Sequence, residues 1–177
     1  MAATEQVILV DKFDNEVGIS EKIAAHEQGL CHRAFSIFIF REQNGLEILL
    51  QKRADGKYHC GGLWTNTCCS HPRPGEEILN AGKRRLNEEM GFSVELSNIG
   101  NFHYIAHFDN GLTENEFDHV LIGKYAGEPI KPNPSEVQNY RWVKVSDLQD
   151  EIKKNSADFT PWLSGALRVF VRYSASI

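Results

Sequence analysis

The chain has 177 residues, of which 41% are hydrophobic and 24% are charged, and its formal net charge is -5. This length and composition are typical of one globular domain with a sizeable core, so we predict a single domain over residues 1–177. The acidic balance argues against a general nucleic-acid-binding protein, which would carry a basic excess. A few local Lys and Arg side chains can still hold a small anion.

Signals for export or membrane insertion are not apparent in the sequence. Residues 1–10 carry no Lys or Arg before a short apolar run, and residues 174–177 do not resemble a peroxisomal address. No apolar stretch approaches the roughly 20 residues that a membrane-spanning helix needs. The four cysteines lack CxxC spacing, which favours free thiols in a reducing compartment. We therefore expect a cytoplasmic protein without a membrane span.

The N-terminal part of the chain predicts a strand followed by a short helix. Residues 7–10 form a continuous apolar run that is typical of a buried strand. Ser20 is predicted to cap a helix that runs through Ala25 and ends near Gly29. This helix would carry Lys22 and His26, a cation and an imidazole.

The next segment predicts the centre of a sheet. Residues 33–40 carry bulky or β-branched side chains on both alternating faces, which is typical of a strand buried on both sides. The dipeptide at residues 44–45, Asn-Gly, is a hairpin signal. Residues 46–51 then return as the neighbouring strand, so we expect two adjacent antiparallel strands here.

The clearest helix is predicted over residues 76–90. Prolines precede it, acidic residues fill its first turn and Gly91 ends it. Its inward stripe would consist of Ile78, Ala81, Leu86 and Met90. Arg85 and Glu89 are four residues apart and share a face, which an ordinary surface salt bridge also explains.

The remainder of the chain alternates strands and helices. Strand patterns occupy residues 101–108, 114–122 and 140–143. Ser146 is predicted to cap a helix that runs toward residue 154, and Pro161 to begin a last helix. Together with the earlier elements, this order indicates an α/β fold.

Residues 65–72 place a thiol next to an imidazole. In strand geometry the side chains of Cys69 and His71 point to the same side, whereas Cys68 points to the other side and would join the core. A buried structural cysteine and a structural histidine remain equally open explanations. Arg53 and Lys57 precede this segment and would receive an anion, unless they are merely solvated.

Several residues that commonly bind metals are spread along the chain. Three imidazoles and two carboxylates would make a roughly octahedral divalent site, larger than a structural zinc site. Ligand type alone does not choose between manganese, magnesium and zinc. Surface histidines and solvated acids at a strand edge are the alternative. The residues concerned are His26, His32, His71, Glu114 and Glu116.

Three of these segments resemble the signature segments of type I isopentenyl-diphosphate delta-isomerase, in the family's order. They are His26-x5-His32-Arg-Ala-Phe-Ser, Trp64-Thr-Asn-Thr-Cys-Cys69-Ser-His71-Pro and Glu114-Asn-Glu116. The resemblance runs from about Lys22 to Trp162. It implies a Nudix-type fold, an α/β/α sandwich around a mixed β-sheet.

A Nudix box is also visible, with two departures. The box expects Gly, then Glu, then Arg-Glu-x-x-Glu-Glu-x-Gly, and this chain has Ser70, Glu76 and residues 84–91 at those places. Ser70 replaces the Gly and Arg85 replaces the first Glu of the last segment. These departures resemble those of the isomerases and argue against pyrophosphate hydrolysis.

The resemblance implies isomerisation of isopentenyl diphosphate to dimethylallyl diphosphate through a tertiary carbocation, in isoprenoid biosynthesis, by a monomer. One divalent metal, Mn²⁺, Zn²⁺ or Mg²⁺, would be bound by His26, His32, His71, Glu114 and Glu116. Glu89 and the main-chain carbonyl of Cys69 would hold a Mg²⁺ carried by the diphosphate. The diphosphate itself would contact Lys22, Arg53, Lys57 and Ser70. Cys69 and Glu116 would be the acid/base pair, assisted by Tyr104, and Trp162 would face the hydrocarbon.

Two other functions remain open from the sequence. A Nudix-type hydrolase of a nucleoside or other diphosphate would explain the helix and the basic loop but not Cys69, Trp162 or the three histidines. A non-enzymatic scaffold with a structural metal would unfold when the metal is removed and would tolerate thiol alkylation.

Overall fold

A computed structural model describes residues 5–176, and these form one nine-stranded mixed sheet with four α-helices. Three predictions include residues outside that range. They concern the single domain over residues 1–177, the lack of an export signal in residues 1–10 and the lack of a peroxisomal address in residues 174–177. The strands are β1 (Gln6–Val10), β2 (Glu16–Glu21), β3 (His32–Glu42), β4 (Leu46–Arg53), β5 (Trp64–Thr65), β6 (Cys68–Ser70), β7 (Ser97–His107), β8 (Thr113–Lys124) and β9 (Val137–Lys144). The helices are α1 (Lys22–Gln28), α2 (Ile78–Met90), α3 (Val145–Lys154) and α4 (Leu163–Ser174). Within the described range, no helix combines the length and apolar character needed to cross a membrane.

Strand β3 is the centre of the sheet, as predicted. It pairs antiparallel with β1, β4 and β6 and parallel with β8. The parallel ladder places His32 opposite Glu116 and continues to the pair of Phe40 and Lys124. Two residues that are far apart in sequence thus become neighbours through backbone pairing alone.

Two apolar cores lie on opposite faces of this sheet. On one face Phe35 and Ile37 pack with Leu86 and Met90 of α2, so the predicted stripe of this helix does face the core. On the other face β3 and β8 pack against α4, which has an apolar stripe of its own. Helices on both faces of a mixed sheet make the α/β/α sandwich that was predicted.

Both predicted serine caps are wrong. Ser20 lies in β2, where it pairs with Val7, and α1 begins after Glu21. Residues 16–21 were not predicted as a strand, but they satisfy their backbone groups by pairing with β1. Ser146 lies inside the first turn of α3, whose N-cap is Lys144.

Two predicted helix starts are also too early. Helix α2 begins at Ile78 and has no acidic residue in its first turn. Glu76 instead lies in the preceding turn, where its carboxylate accepts hydrogen bonds from Arg84 at 2.7 and 2.8 Å. Helix α4 begins at Leu163, two residues after Pro161. The C-terminal end of α2 is as predicted, because Gly91 adopts a positive φ of 75° and closes the helix.

Candidate active site and metal centre

A cleft at one end of the sheet collects most of the residues singled out in the sequence. Eleven of the thirteen predicted site residues line it, and His26 and His32 lie fully buried beside it. The lining also includes Tyr58, His59 and Arg85. The predicted lining residues are Lys22, Arg53, Lys57, Cys69, Ser70, His71, Glu89, Tyr104, Glu114, Glu116 and Trp162.

Four predicted metal ligands converge here. One ligand atom from each of His26, His32, His71 and Glu116 lies within 4.8 Å of the others. Helix α1 supplies the first, β3 and β8 supply the neighbours His32 and Glu116, and His71 directly follows β6. Glu114, the fifth predicted ligand, is in an adjoining group with His26 and His59.

The ring nitrogens of two histidines are arranged for metal binding. Nδ1 of His26 lies 2.6 Å from the carbonyl oxygen of Lys22, and Nδ1 of His32 lies 2.8 Å from that of Leu30. Because a carbonyl only accepts, both Nδ1 atoms carry a proton, and Nε2 of the neutral ring keeps a free lone pair. Both Nε2 atoms are buried without a hydrogen-bond partner. This fits a divalent cation, because metal-binding histidines usually donate their other N–H to a carbonyl or carboxylate.

The pKa values of the two carboxylates of β8 are shifted in opposite directions. Burial favours the neutral acid, yet contacts with His32 and His71 lower the pKa of Glu116 well below its usual value. Burial and the adjacent Glu116 charge raise the pKa of Glu114 well above its usual value. The two carboxylates are therefore shifted in opposite directions, Glu116 toward the ionised form and Glu114 toward the neutral acid. The hydroxyl oxygen of Tyr104 lies 2.5 Å from Glu116, to which it donates, and 2.9 Å from Glu114.

The pKa values of the three imidazoles are shifted in different directions. Burial lowers the pKa of His26 and of His71 to about 4, so both are neutral and able to bind a metal near neutral pH. Burial also opposes charge on His32, but its contact with Glu116, 3.3 Å from Nε2, raises its pKa.

Cys69 presents a protonated thiol to the cleft. Burial raises its pKa to about 12, although the charge of Arg53 opposes this shift. The Arg53 guanidinium lies 3.9 Å from the sulfur. Cys68 is fully buried among core side chains on the other face of the sheet, as predicted.

A cationic rim surrounds one side of the cleft. Arg53 is 6% exposed and also donates to the carbonyl of His59 at 3.3 Å. Lys57 forms an ion pair with Glu136, and Lys22 lies 3.0 Å from Glu5. These partners hold the cations at the cleft, where they offer positive charge to an anionic group.

Glu89 is held from two directions. Arg85 donates to one carboxylate oxygen at 2.5 Å, so the predicted i,i+4 contact is confirmed. The side chain of Gln51 donates to the other oxygen at 2.8 Å and to the carbonyl of Thr67 at 2.9 Å. The orientation of this carboxylate is therefore set by α2, β4 and the loop before β6.

Trp162 closes the apolar side. It is 2% exposed, and its indole N–H donates to Asn66 at 3.2 Å. The ring centroid lies 6.3 Å from that of Tyr104, and the Arg53 guanidinium lies 5.4 Å from the indole. A buried aromatic surface is thus placed beside Tyr104 and Arg53.

His59 and Gln51 were missed by the sequence analysis. His59 lies in the loop between β4 and β5, a loop that was considered only for its cations. Its Nε2 lies 2.8 Å from Glu114, and its ring stacks on Phe108 with 4.8 Å between centroids. The sequence did offer a signal for His59, because it follows two residues after Lys57, which was already a candidate site residue. Gln51 gave none, since a lone Gln in a strand predicts no function.

The chain matches known sequence families over most of its length. Residues 31–163 match the model of the NUDIX domain. The chain is 49% identical over 163 residues to "Isopentenyl-diphosphate Delta-isomerase 2" of Aromatoleum aromaticum, covering 92% of this chain and 85% of that protein. It is 46% identical to the isopentenyl-diphosphate Delta-isomerase of Photobacterium profundum, covering 99% of both.

Solved structures share the fold. The crystal structure of DR0079 from Deinococcus radiodurans superposes with a TM-score of 0.74 at 17% identity, covering 93% of this chain and 98% of that one. A MutT protein from Methanosarcina mazei gives a TM-score of 0.62 at 18% identity, covering 82% and 94%. These likenesses establish the Nudix fold alone, because the identities are low.

Proposed function

Because this chain belongs to the Nudix family and to its isopentenyl-diphosphate Delta-isomerases, we propose how its cleft isomerises isopentenyl diphosphate to dimethylallyl diphosphate. One observation carries the proposal. The cleft brings together a protonated thiol, Cys69, and an ionised carboxylate, Glu116, between a cationic rim and the indole of Trp162.

The reaction requires one proton to be added and another to be removed. A proton added to the terminal methylene of the alkene makes a methyl group and leaves a tertiary carbocation. Loss of a proton from the carbon on the other side lets that C–H electron pair form the new double bond. Cys69 and Glu116 enter the cycle with one group protonated and one ionised, as such a reaction needs. Tyr104 orients Glu116 through its short hydrogen bond.

The metal ligands belong to the same proposal. His26, His32, His71 and Glu116, with Glu114 adjoining, would hold one Mn²⁺, Zn²⁺ or Mg²⁺ ion, and Glu89 with the carbonyl of Cys69 would hold a Mg²⁺ carried by the diphosphate. The bound cations would supply positive charge to the carboxylates and to the diphosphate. Glu89 suits this role because Arg85 and Gln51 already fix its orientation.

The diphosphate and the hydrocarbon of the substrate would contact different sides of the cleft. Lys22, Arg53, Lys57 and Ser70 would contact the diphosphate, since charge-assisted hydrogen bonds favour phosphate oxygens. Trp162 would face the hydrocarbon, and an aromatic face stabilises a cation by roughly 0.5–2 kcal/mol. The burial of this wall also keeps water from capturing the carbocation.

The test is incubation of the metal-loaded protein with isopentenyl diphosphate and Mg²⁺ in deuterated water, followed by NMR. We expect dimethylallyl diphosphate with deuterium in the new methyl group and without phosphate release. Cys69→Ala should abolish this conversion, whereas Cys68→Ala, on the core face, should keep it in the folded protein. Phosphate release, or unchanged substrate with a metal-loaded and folded protein, would contradict the proposal.

A further inference from the structure

His59 and Glu114 form a second donor pair beside the four-ligand group. Nε2 of His59 lies 2.8 Å from a carboxylate oxygen of Glu114, and both side chains are buried. Despite this separation, neither nitrogen of His59 has a hydrogen-bond partner. The N–H and the oxygen therefore do not point at each other, which is costly for buried polar atoms unless a further group satisfies them.

The same arrangement occurs in the four-ligand group. Nε2 of His32 lies 3.3 Å from Glu116 and likewise has no hydrogen-bond partner. Adjacent ligand atoms on an octahedral ion with bonds of about 2.1 Å lie about 3 Å apart, and their lone pairs meet at the ion instead of at each other. Both pairs of imidazole and carboxylate match this spacing.

His26 links the two pairs. His26 belongs to the group with His59 and Glu114 and to the group with His32, His71 and Glu116, and within each group the ligand atoms lie within 4.8 Å of one another. Since Nδ1 of His26 is occupied by the carbonyl of Lys22, only the lone pair of Nε2 is free. One lone pair serves one ion, so the two groups cannot be complete ion sites at the same time.

We propose that His59 is a ligand of the site's divalent cation, together with Glu114 and His26. His26 also belongs to the four-residue group. This inference rests on the metal site of the proposed function. It adds a fourth imidazole to the set, from a loop that carries none of the three signature segments.

The position of His59 is rigid enough for this role. Its ring stacks on Phe108 with an interplanar angle of 2° and packs edge-on against Trp162 at 6.0 Å. Arg53 holds its main-chain carbonyl. Because these contacts fix the ring before an ion arrives, little ordering cost remains for binding.

The alternative is that His59 only orients Glu114 by donating a hydrogen bond. Gln would preserve a donor of this kind but would not replace an imidazole ligand, whereas Ala would remove both. The full-length variants His59→Ala and His59→Gln therefore separate the two roles. His107→Gln is the matched control, because His107 is exposed and contacts Thr113 at 3.0 Å, outside the ligand group.

The experiment measures the binding of Co²⁺ and Mn²⁺ by competition with a chromophoric chelator, together with the visible spectrum of the Co²⁺ form. We expect both His59 variants to lose affinity by roughly tenfold or more and to shift the Co²⁺ absorption bands. His107→Gln should match the unchanged protein in both measurements. Far-UV circular dichroism without metal verifies that each variant is folded.

Unchanged affinity and spectrum in both folded His59 variants would overturn the inference, and so would full recovery by Gln after loss by Ala. If the unchanged protein binds no divalent ion, the proposed metal site fails together with the inference. If it binds the ion and isomerises the substrate while the His59 variants bind normally, only the inference fails.

Discussion

The two halves of the paired strands β3 and β8 differ in their buried side chains, because the buried polar groups are concentrated in the first half. One parallel ladder joins them from His32 and Glu116 to Phe40 and Lys124, so the backbone is the same throughout. The first half buries polar and hydrogen-bonding groups, namely His32, Ser36, Glu114, Glu116 and Asp118. The second half packs apolar side chains against α4, namely Phe38 and Ile122.

This difference separates stability from chemistry within one pair of strands. Apolar burial stabilises the second half by about 25 cal/mol per Å² of surface removed from water. In the first half, burial opposes charge, raising the pKa of Asp118 well above its usual value even though Ser36 donates to it at 2.7 Å. Apolar packing in the second half thus offsets the free-energy cost of burying polar groups in the first half.

The largest expected effect is on activity, from the polar half. Glu116→Gln removes the ionised member of the proposed acid/base pair, and we expect the isomerisation rate to fall by about 10²–10⁴-fold. Thermal unfolding without metal should change far less, because Gln keeps the volume and can still accept from Tyr104. Glu88→Gln on the exposed face of α2 is the control. A near-normal rate in folded Glu116→Gln would break the separation of the two halves.

The next effect is on stability, from the apolar half. Phe38 is fully buried, and Phe38→Ala should lower the free energy of unfolding by about 3–5 kcal/mol through lost burial and a cavity. Phe13→Ala, at a position 71% exposed, should cost little. Denaturant titration measures both. A stability loss at Phe38 no larger than that at Phe13 would show that this half does not anchor the site.

Metal affinity should depend on pH through the polar half. In the metal-free protein the pKa values of His32 and Glu114 are both raised, so each group holds its proton to a higher pH than it would in water. A cation must displace these protons, so affinity should rise with pH by about tenfold per unit for each proton displaced. His26 and His71, with pKa values of about 4, add nothing to this slope. Calorimetry in buffers of different ionisation heat counts the released protons, and a flat profile would refute the protonation states.

The smallest expected effect comes from Gln51, at the cleft end of β4. Gln51→Leu leaves one oxygen of Glu89 without its partner, which costs about 1 kcal/mol per lost hydrogen bond. We expect the KM for the magnesium-bound substrate to rise severalfold with kcat less affected. Gln138→Leu, at an exposed position on β9, is the matched control and should change neither constant. An unchanged KM would show that Arg85 alone orients Glu89.

The separation of polar and apolar halves is partly readable in the sequence. Residues 33–40 were predicted as the central strand because their apolar pattern is local, and α2 was predicted from its stripe and Gly91. The helix starts were wrong because caps compete with strand pairing and with turns. Ser20 pairs with β1 as part of β2, and the carboxylate of Glu76 accepts a hydrogen bond from Arg84 in the turn before α2.

The sequence by itself determined the fold class, the central strand and the identity of most cleft residues, because periodicity and short motifs are properties of neighbouring positions. Only the tertiary structure decided which donors meet. It separated Glu114 from the four-ligand group and brought His59 and Gln51 to carboxylates that lie far away in the chain. Such contacts arise from strand register and loop packing between distant segments, and no local pattern encodes them.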